Sequence, residues 1–251
     1  MFLAGSTAWT WMCFAIVVGS GRPWLQWPVA VISLLGGLGP LLVALWLIGR
    51  SYWRRDRNPW AFLMRVMDPT TLSWRSYAVT LGATAVLVFL PLFVEMLRVD
   101  DAGIWHTGPF VFMIVGLVFG ALEEVGWRGY AQEALQQTLP IWISGLVIGV
   151  FWSLWHLPLF FVEGTYQAQL GFGTLSFWTF MLNPIVASPF YAWLYNVTGR
   201  TAFAAVLYHG LGNLGRELVA DPHPMVALSV ELTMTVVVLI LSWGWMRRRA
   251  Q

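Results

Sequence analysis

Residues 110–130, FVFMIVGLVFGALEEVGWRGY, are apolar for thirteen positions and then carry adjacent carboxylates, Glu123 and Glu124, with Arg128 four residues on. Each charge at bilayer depth costs roughly 2.5–3.5 kcal/mol on insertion scales. A stretch otherwise fit for lipid therefore ends in three groups that lipid disfavours.

Similar apolar runs recur along the chain, which has 251 residues, 58% hydrophobic and only 10% charged. Soluble domains average about 25% charged, so the composition points to a polytopic membrane protein. At about 20 residues per span, eight helices are predicted: 3–19, 28–49, 76–97, 109–128, 140–162, 174–197, 201–219 and 225–246. The expected fold is an all-α helical bundle forming one integral-membrane domain, 1–251, without internal repeats. The first span lacks a preceding positive charge and a defensible cleavage signal, and is read as retained.

All fourteen basic residues are arginine, and their placement orients the bundle. Arg50, Arg54, Arg55, Arg57, Arg65 and Arg75 fall between spans 2 and 3, Arg200 lies between spans 6 and 7, and Arg247, Arg248 and Arg249 end the chain. With eight spans these share one face, the cytoplasmic one by the positive-inside rule, with both termini on that side. The opposite loops hold Asp100, Asp101, Glu163 and Asp221. Arginine-only basicity and short loops suggest a bacterial plasma membrane. Anionic lipid headgroups are expected partners of the 50–75 loop, and no nucleic-acid partner is expected. Cys13 is the only cysteine, which excludes an internal disulfide and any multi-cysteine metal site.

On a helix, Glu124 and Arg128 share a face and can form an internal ion pair. Glu123 lies about 100° away and is left to point elsewhere. It shares a stripe with Gly116 and Gly120, small residues that admit a close neighbouring helix. It should therefore face the bundle interior, where a carboxyl group is placed to act as general base or acid. Span 5 carries His156, and span 7 carries His209 and Asn213 four apart, on a stripe with Ala205 and Gly212. One intramembrane His or Asn often serves only as interhelical glue. Four such groups beside a doubled carboxylate read as a site. Buried Glu and His also suit a proton-coupled transporter, although inverted repeats are missing. A non-catalytic immunity or partner protein is a third reading. Neither a rhomboid-like G-x-S-G nor an intraspan aspartate is present, and no H-E-x-x-H occurs.

These segments resemble the motifs of the CPBP family, the CAAX-prenyl endopeptidase and bacteriocin-processing intramembrane proteases. E-E-x-x-x-R matches Glu123, Glu124 and Arg128, and H-x-x-x-N matches His209 and Asn213. F-x-x-x-H is met by His156, with Trp152 in place of Phe, a change expected only to enlarge the pocket wall. The resemblance covers residues 109–219. It implies an eight-helix endopeptidase with a cavity opening toward the cytoplasm. In it, Glu123 and His156 would activate water, His209 and Asn213 would hold the oxyanion, and Glu124 and Arg128 would support the helix end. Its substrate would be a peptide or a lipidated protein. Zinc on Glu123, His156, His209 and Asn213 is the alternative to a cofactor-free mechanism, which is preferred. The sequence carries no signal for an oligomeric state.

Counting 1.5 Å per residue raises a difficulty. Glu123 and His209 fall about 10 Å from the cytoplasmic face, but His156 falls roughly 24 Å in. His156 meets Glu123 only if span 5 starts deeper, or if residues 129–139 bend back as a short helix.

Overall fold

Pro40 has no N–H to donate to Gly36, and Gly36, Gly37 and Gly39 precede it, so the expected span 28–49 cannot run straight. The computed structural model describes residues 1–50, 58–98, 110–218 and 222–249. In it this segment forms two helices, α2 (Val29–Gly37) and α3 (Gly39–Arg50), bent by 64°. Carbonyls freed at the bend are met from α1 (Phe2–Ser20): Trp9 Nε1 donates to Leu35 O and Thr10 Oγ1 to Gly36 O, both at 2.8 Å. Trp155 Nε1 donates in turn to Thr10 Oγ1 at 2.7 Å. An unsatisfied backbone group in hydrocarbon costs several kcal/mol, so these side chains make the bend tenable.

The other helices are α4 (Pro59–Val66), α5 (Trp74–Met96), α6 (Phe110–Glu124), a π-helical segment (Val125–Gln132) and α7 (Glu133–Leu135). They are followed by α8 (Ile141–His156) with a 3₁₀ turn (Leu157–Phe161), α9 (Tyr166–Leu170), α10 (Leu175–Val197), α11 (Ala202–Leu218) and α12 (Pro224–Met246). No strand occurs among the described residues, in keeping with the expected all-α class. Each of the eight expected segments falls on helix. Phe2–Ser20, Trp74–Met96, Ile141–Phe161 and Pro224–Met246 are long and apolar enough to cross a membrane, and the bent α2–α3 pair brings the number to five at most among the described residues. Helix α10 is diluted by Asn183, Ser188 and two prolines. Arg54, Arg55, Arg57, Asp100, Asp101, His106 and Asp221 lie outside the described residues.

Gly145 and Gly149 set the contact between α8 and α10. A Cβ at either would stand 2.8 Å from Ser188 O or 2.6 Å from Pro184 O, so only glycine admits this approach. Helix α10 is assigned as one element through both Pro184 and Pro189. One apolar cluster, including Phe2, Leu87, Trp127, Ile148, Trp155, Leu194 and Tyr208, joins α1, α5, the π-helical segment, α8, α10 and α11.

The bundle has one closed end and one open end. At the closed end Gln132 Nε2 donates to Ser144 Oγ at 2.5 Å and to Gln136 Oε1 at 3.1 Å, and Gln136 bonds with Asn196. Arg200 pairs with Glu133 at 2.8 Å, and Ile141 N donates to Arg248 O at 3.1 Å. The amphipathic α4, capped by Asn58, packs Phe62 and Val66 against Gly129 at this same end, so Arg50 and Arg65, two of the three described arginines of the loop, gather here. Glu163, after the 3₁₀ turn, and the chain before α12 lie at the other end. With Cys13 replaced, Glu163→Cys and Arg249→Cys are expected to react with an impermeant maleimide from opposite sides of sealed vesicles. Labelling of both from one side would overturn this arrangement.

Candidate active site

Helix α6 is antiparallel to α11: Glu124 meets His209, while Gly120, one turn earlier, meets Asn213. The i, i+4 ion pair forms as expected, with Arg128 Nε 3.0 Å from Glu124 Oε2 and both side chains fully buried. Arg128 also donates to Ser188 Oγ at 2.8 Å, and its guanidinium lies 4.7 Å from the centre of the Tyr191 ring. Glu124 does more than balance that charge. Its Oε1 lies 3.0 Å from His209 Nδ1, so the carboxylate bridges arginine and imidazole. The sequence reading assigned Glu124 to the helix end alone and missed this link, which crosses 85 residues.

With Nδ1 held, Nε2 is the free end of His209. A Cβ at Gly120 would stand 2.5 Å from Asn213 Nδ2 and 3.1 Å from His209 Nε2. Both polar nitrogens therefore lie over the same patch of α6 backbone, and the absence of a side chain at Gly120 gives them that space.

Glu123 is 8% exposed and turns away from Arg128, as the geometry predicted. It is not left free. Trp152 Nε1 donates to Glu123 Oε2 at 2.9 Å, and the Trp152 ring stands edge-on to His209 at 5.2 Å and to Tyr191 at 5.4 Å. Replacement of the motif phenylalanine was expected only to enlarge a wall. It also supplies an N–H that phenylalanine lacks. Trp127 is completely buried, and its Nε1 interacts with the Glu123 carboxyl without meeting hydrogen-bond geometry among the described residues.

The helix after Glu124 continues as the π-helical segment and α7 to Leu135, instead of ending near 128. Glu123 therefore lies deeper than counted and level with Trp152, because Gln132 and Ser144 meet nine residues and eight residues away, respectively. His156 is one turn further toward the open end. Its Nδ1 pairs with Trp152 O at 2.8 Å, and its ring packs against Trp155 at 4.7 Å and Phe180 at 5.2 Å. Trp152 thus stands between His156 and His209, with centroids 6.0 and 5.2 Å away. Among the described residues no three His, Cys, Asp or Glu side chains form a metal-holding group.

Exposure rises along one stripe of α11, from Ala202 and Ala205 at 0% to the His209 side chain at 11% and Arg216 at 43%. The site therefore opens away from the arginine-rich closed end. Two further carboxylates lie in apolar helices with partners: Glu95 with Arg98 at 3.6 Å, and Glu231 with Asn183 and Arg216. His223 is exposed at the start of α12.

A helical membrane protein with a carboxylate, two imidazoles and a carboxamide gathered inside it belongs to the class of integral membrane hydrolases that its motifs resemble. The sequence model described as Type II CAAX prenyl endopeptidase Rce1-like matches residues 105–215, which contain all six motif residues. CAAX prenyl protease 2 of Methanococcus maripaludis is 34% identical over 204 residues, covering 76% of this chain and 73% of the relative. The chain belongs to the CPBP family of CAAX-prenyl-endopeptidase-like membrane proteases.

Two substitutions test the packing of the site. Gly120→Ala displaces Asn213 and His209 and is expected to lower peptidase turnover about 10²-fold, the scale of a 1 Å misplacement. Gly82→Ala, where a Cβ meets nothing within 4 Å, is expected to leave it unchanged. Trp152→Phe keeps the ring and removes the donor to Glu123. An unchanged melting temperature with kcat reduced about tenfold is expected, and steady-state kinetics beside a thermal melt reads both.

Proposed function

We propose that this intramembrane endopeptidase hydrolyses a peptide bond with a water activated by Glu123, and that its substrates are prenylated C-terminal CAAX peptides. The observation that carries the mechanism is the division between two adjacent carboxylates. Glu124 is fully buried between Arg128 and His209, whereas the buried Glu123 lies apart from that ion pair and accepts from Trp152. One holds the site and the other is available to exchange a proton. The name and overlap of the archaeal relative support the substrate class.

In this mechanism Glu123 accepts a proton from water as its oxygen bonds to the scissile carbonyl carbon. The developing oxyanion is met by Asn213 Nδ2 and by His209 Nε2, the two nitrogens that share the space over Gly120. Glu124 holds His209 Nδ1, which turns Nε2 toward the oxyanion. Collapse of the intermediate breaks the C–N bond, and Glu123 returns the proton to the leaving amine. His156, one turn toward the open end, borders the path of water and leaving group. Glu123, His156, His209 and Asn213 are all donors acceptable to zinc. Nδ1 of each histidine is engaged, which orients the ring and leaves Nε2 to face either an oxyanion or a metal; the metal-free form is the one proposed, and the chelator arm of the test below decides it. Arginine placement supports the reading that both termini are cytoplasmic.

The test is cleavage of a quenched prenylated peptide by purified protein in nanodiscs. Glu123→Gln is expected to abolish turnover without loss of fold. His209→Ala or Asn213→Ala should reduce kcat by 10²–10³, as loss of one oxyanion donor does. A chelator is expected to change nothing, and inhibition reversed by zinc would overturn the metal-free assignment. Equal cleavage by wild type and Glu123→Gln would sink the mechanism.

A further inference from the structure

Beyond the motif residues, α11 carries a third polar group on the same stripe. His209, Asn213 and Arg216 stand at i, i+4 and i+7, one face of a helix. The neighbouring face of α11 is closed by α5, where Gly212 meets Leu87 and Gly215 meets Val88. Arg216 lies on the open side of the site, with 43% of its side chain exposed. Its position is set by Glu231 of α12, which is 3% exposed and accepts a hydrogen bond from Asn183 of α10. Arg216 Nη2 stands 3.7 Å from Glu231 Oε2, beyond hydrogen-bond reach. The carboxylate therefore holds the guanidinium electrostatically without occupying its planar fork of five donors, which matches a carboxylate well.

We propose that Arg216 receives the terminal carboxylate of the substrate, and so fixes how far from the chain end the bond is cut. The inference rests on the protease reading above, and it deepens that reading by naming the part of the substrate that is recognised. The distances agree. Seven helical residues separate His209 from Arg216 by about 10.5 Å. Three extended peptide residues span about 10–11 Å. A carbonyl held by His209 and Asn213 thus places a carboxylate about three residues downstream beside Arg216. A CAAX box ends in that carboxylate, three residues after its prenylated cysteine. Peptides that continue past this point would leave the guanidinium facing an uncharged backbone.

The experiment compares two fluorogenic farnesyl-cysteine tetrapeptides, identical except that one ends in a free acid and the other in an amide. Both are given to the full chain in nanodiscs. Wild type is expected to favour the acid by tenfold or more in kcat/KM, the scale of a charge-assisted hydrogen bond. In Arg216→Gln the acid-to-amide ratio should fall to about one, and Arg216→Lys should restore part of it. Because the ratio compares two peptides on one protein, a general loss of folded enzyme does not mimic the result. A wild-type ratio near one, or a ratio unchanged in Arg216→Gln, overturns the proposal while leaving the protease reading intact. The protease reading fails separately, when wild type cuts neither peptide. Anisotropy of the labelled acid and amide on Glu123→Gln then still decides the inference. An acid preference lost in Glu123→Gln/Arg216→Gln supports the carboxylate site, and equal binding of acid and amide rejects it.

Discussion

The buried bridge Arg128–Glu124–His209 is the constraint on which the rest of the site depends. Three ionisable groups lie inside an apolar bundle, two of them with no exposed side-chain surface, and each is in contact with the next. Isolated burial of any one would be prohibitive, and loss of one member of such a set typically costs roughly 3–5 kcal/mol because the others are left uncompensated. The bridge thereby links α6 to α11, while Arg128 reaches Ser188 and so includes α10. It also holds Nδ1 of His209 and leaves Nε2 beside Asn213.

With that bridge in place the neighbouring carboxylate is released from a structural role. Glu123 meets a tryptophan N–H from α8, and Trp152 contacts both histidines through its ring faces and edges. A single side chain thus sets the spacing of the two imidazoles and orients the Glu123 carboxylate. Phenylalanine at this position would retain the packing and lose the hydrogen bond. In this chain the departure from the family pattern adds a polar contact to a site already dense with them.

One helix that builds the site, α11, is the least lipid-like of the long helices. Among the described residues α1, α5, α8 and α12 read as spans on length and apolarity. Polar and small residues are tolerated in α10 and α11 because other helices surround them. Gly145 and Gly149 bring α8 onto the backbone of α10, and Gly212 and Gly215 bring α11 onto α5. Close backbone approach substitutes here for the hydrophobic drive that lipid removes. The hydropathy deficit of a central helix is therefore a consequence of its place in the bundle.

Most of the helical segments and all six motif residues were legible in the sequence, because apolar run length and i, i+4 spacing are local properties. The Glu124–Arg128 pair needs only one helix to form, and so does the divergence of Glu123 from it. The break at Gly36–Pro40 was legible in principle from proline chemistry, but the apolar run concealed it. What only the tertiary structure decided were the long-range partners: Glu124 with His209, Glu123 with Trp152, and Glu231 with Asn183 and Arg216. Each joins helices whose rotation and depth follow from packing. The depth of Glu123 turned on a helix that continues as a π-helical segment through residues with no apolar periodicity. The open end of the site became visible only as a gradient of exposure along α11. Sequence spacing tells which groups share a face, and the packing of neighbouring helices determines what that face meets.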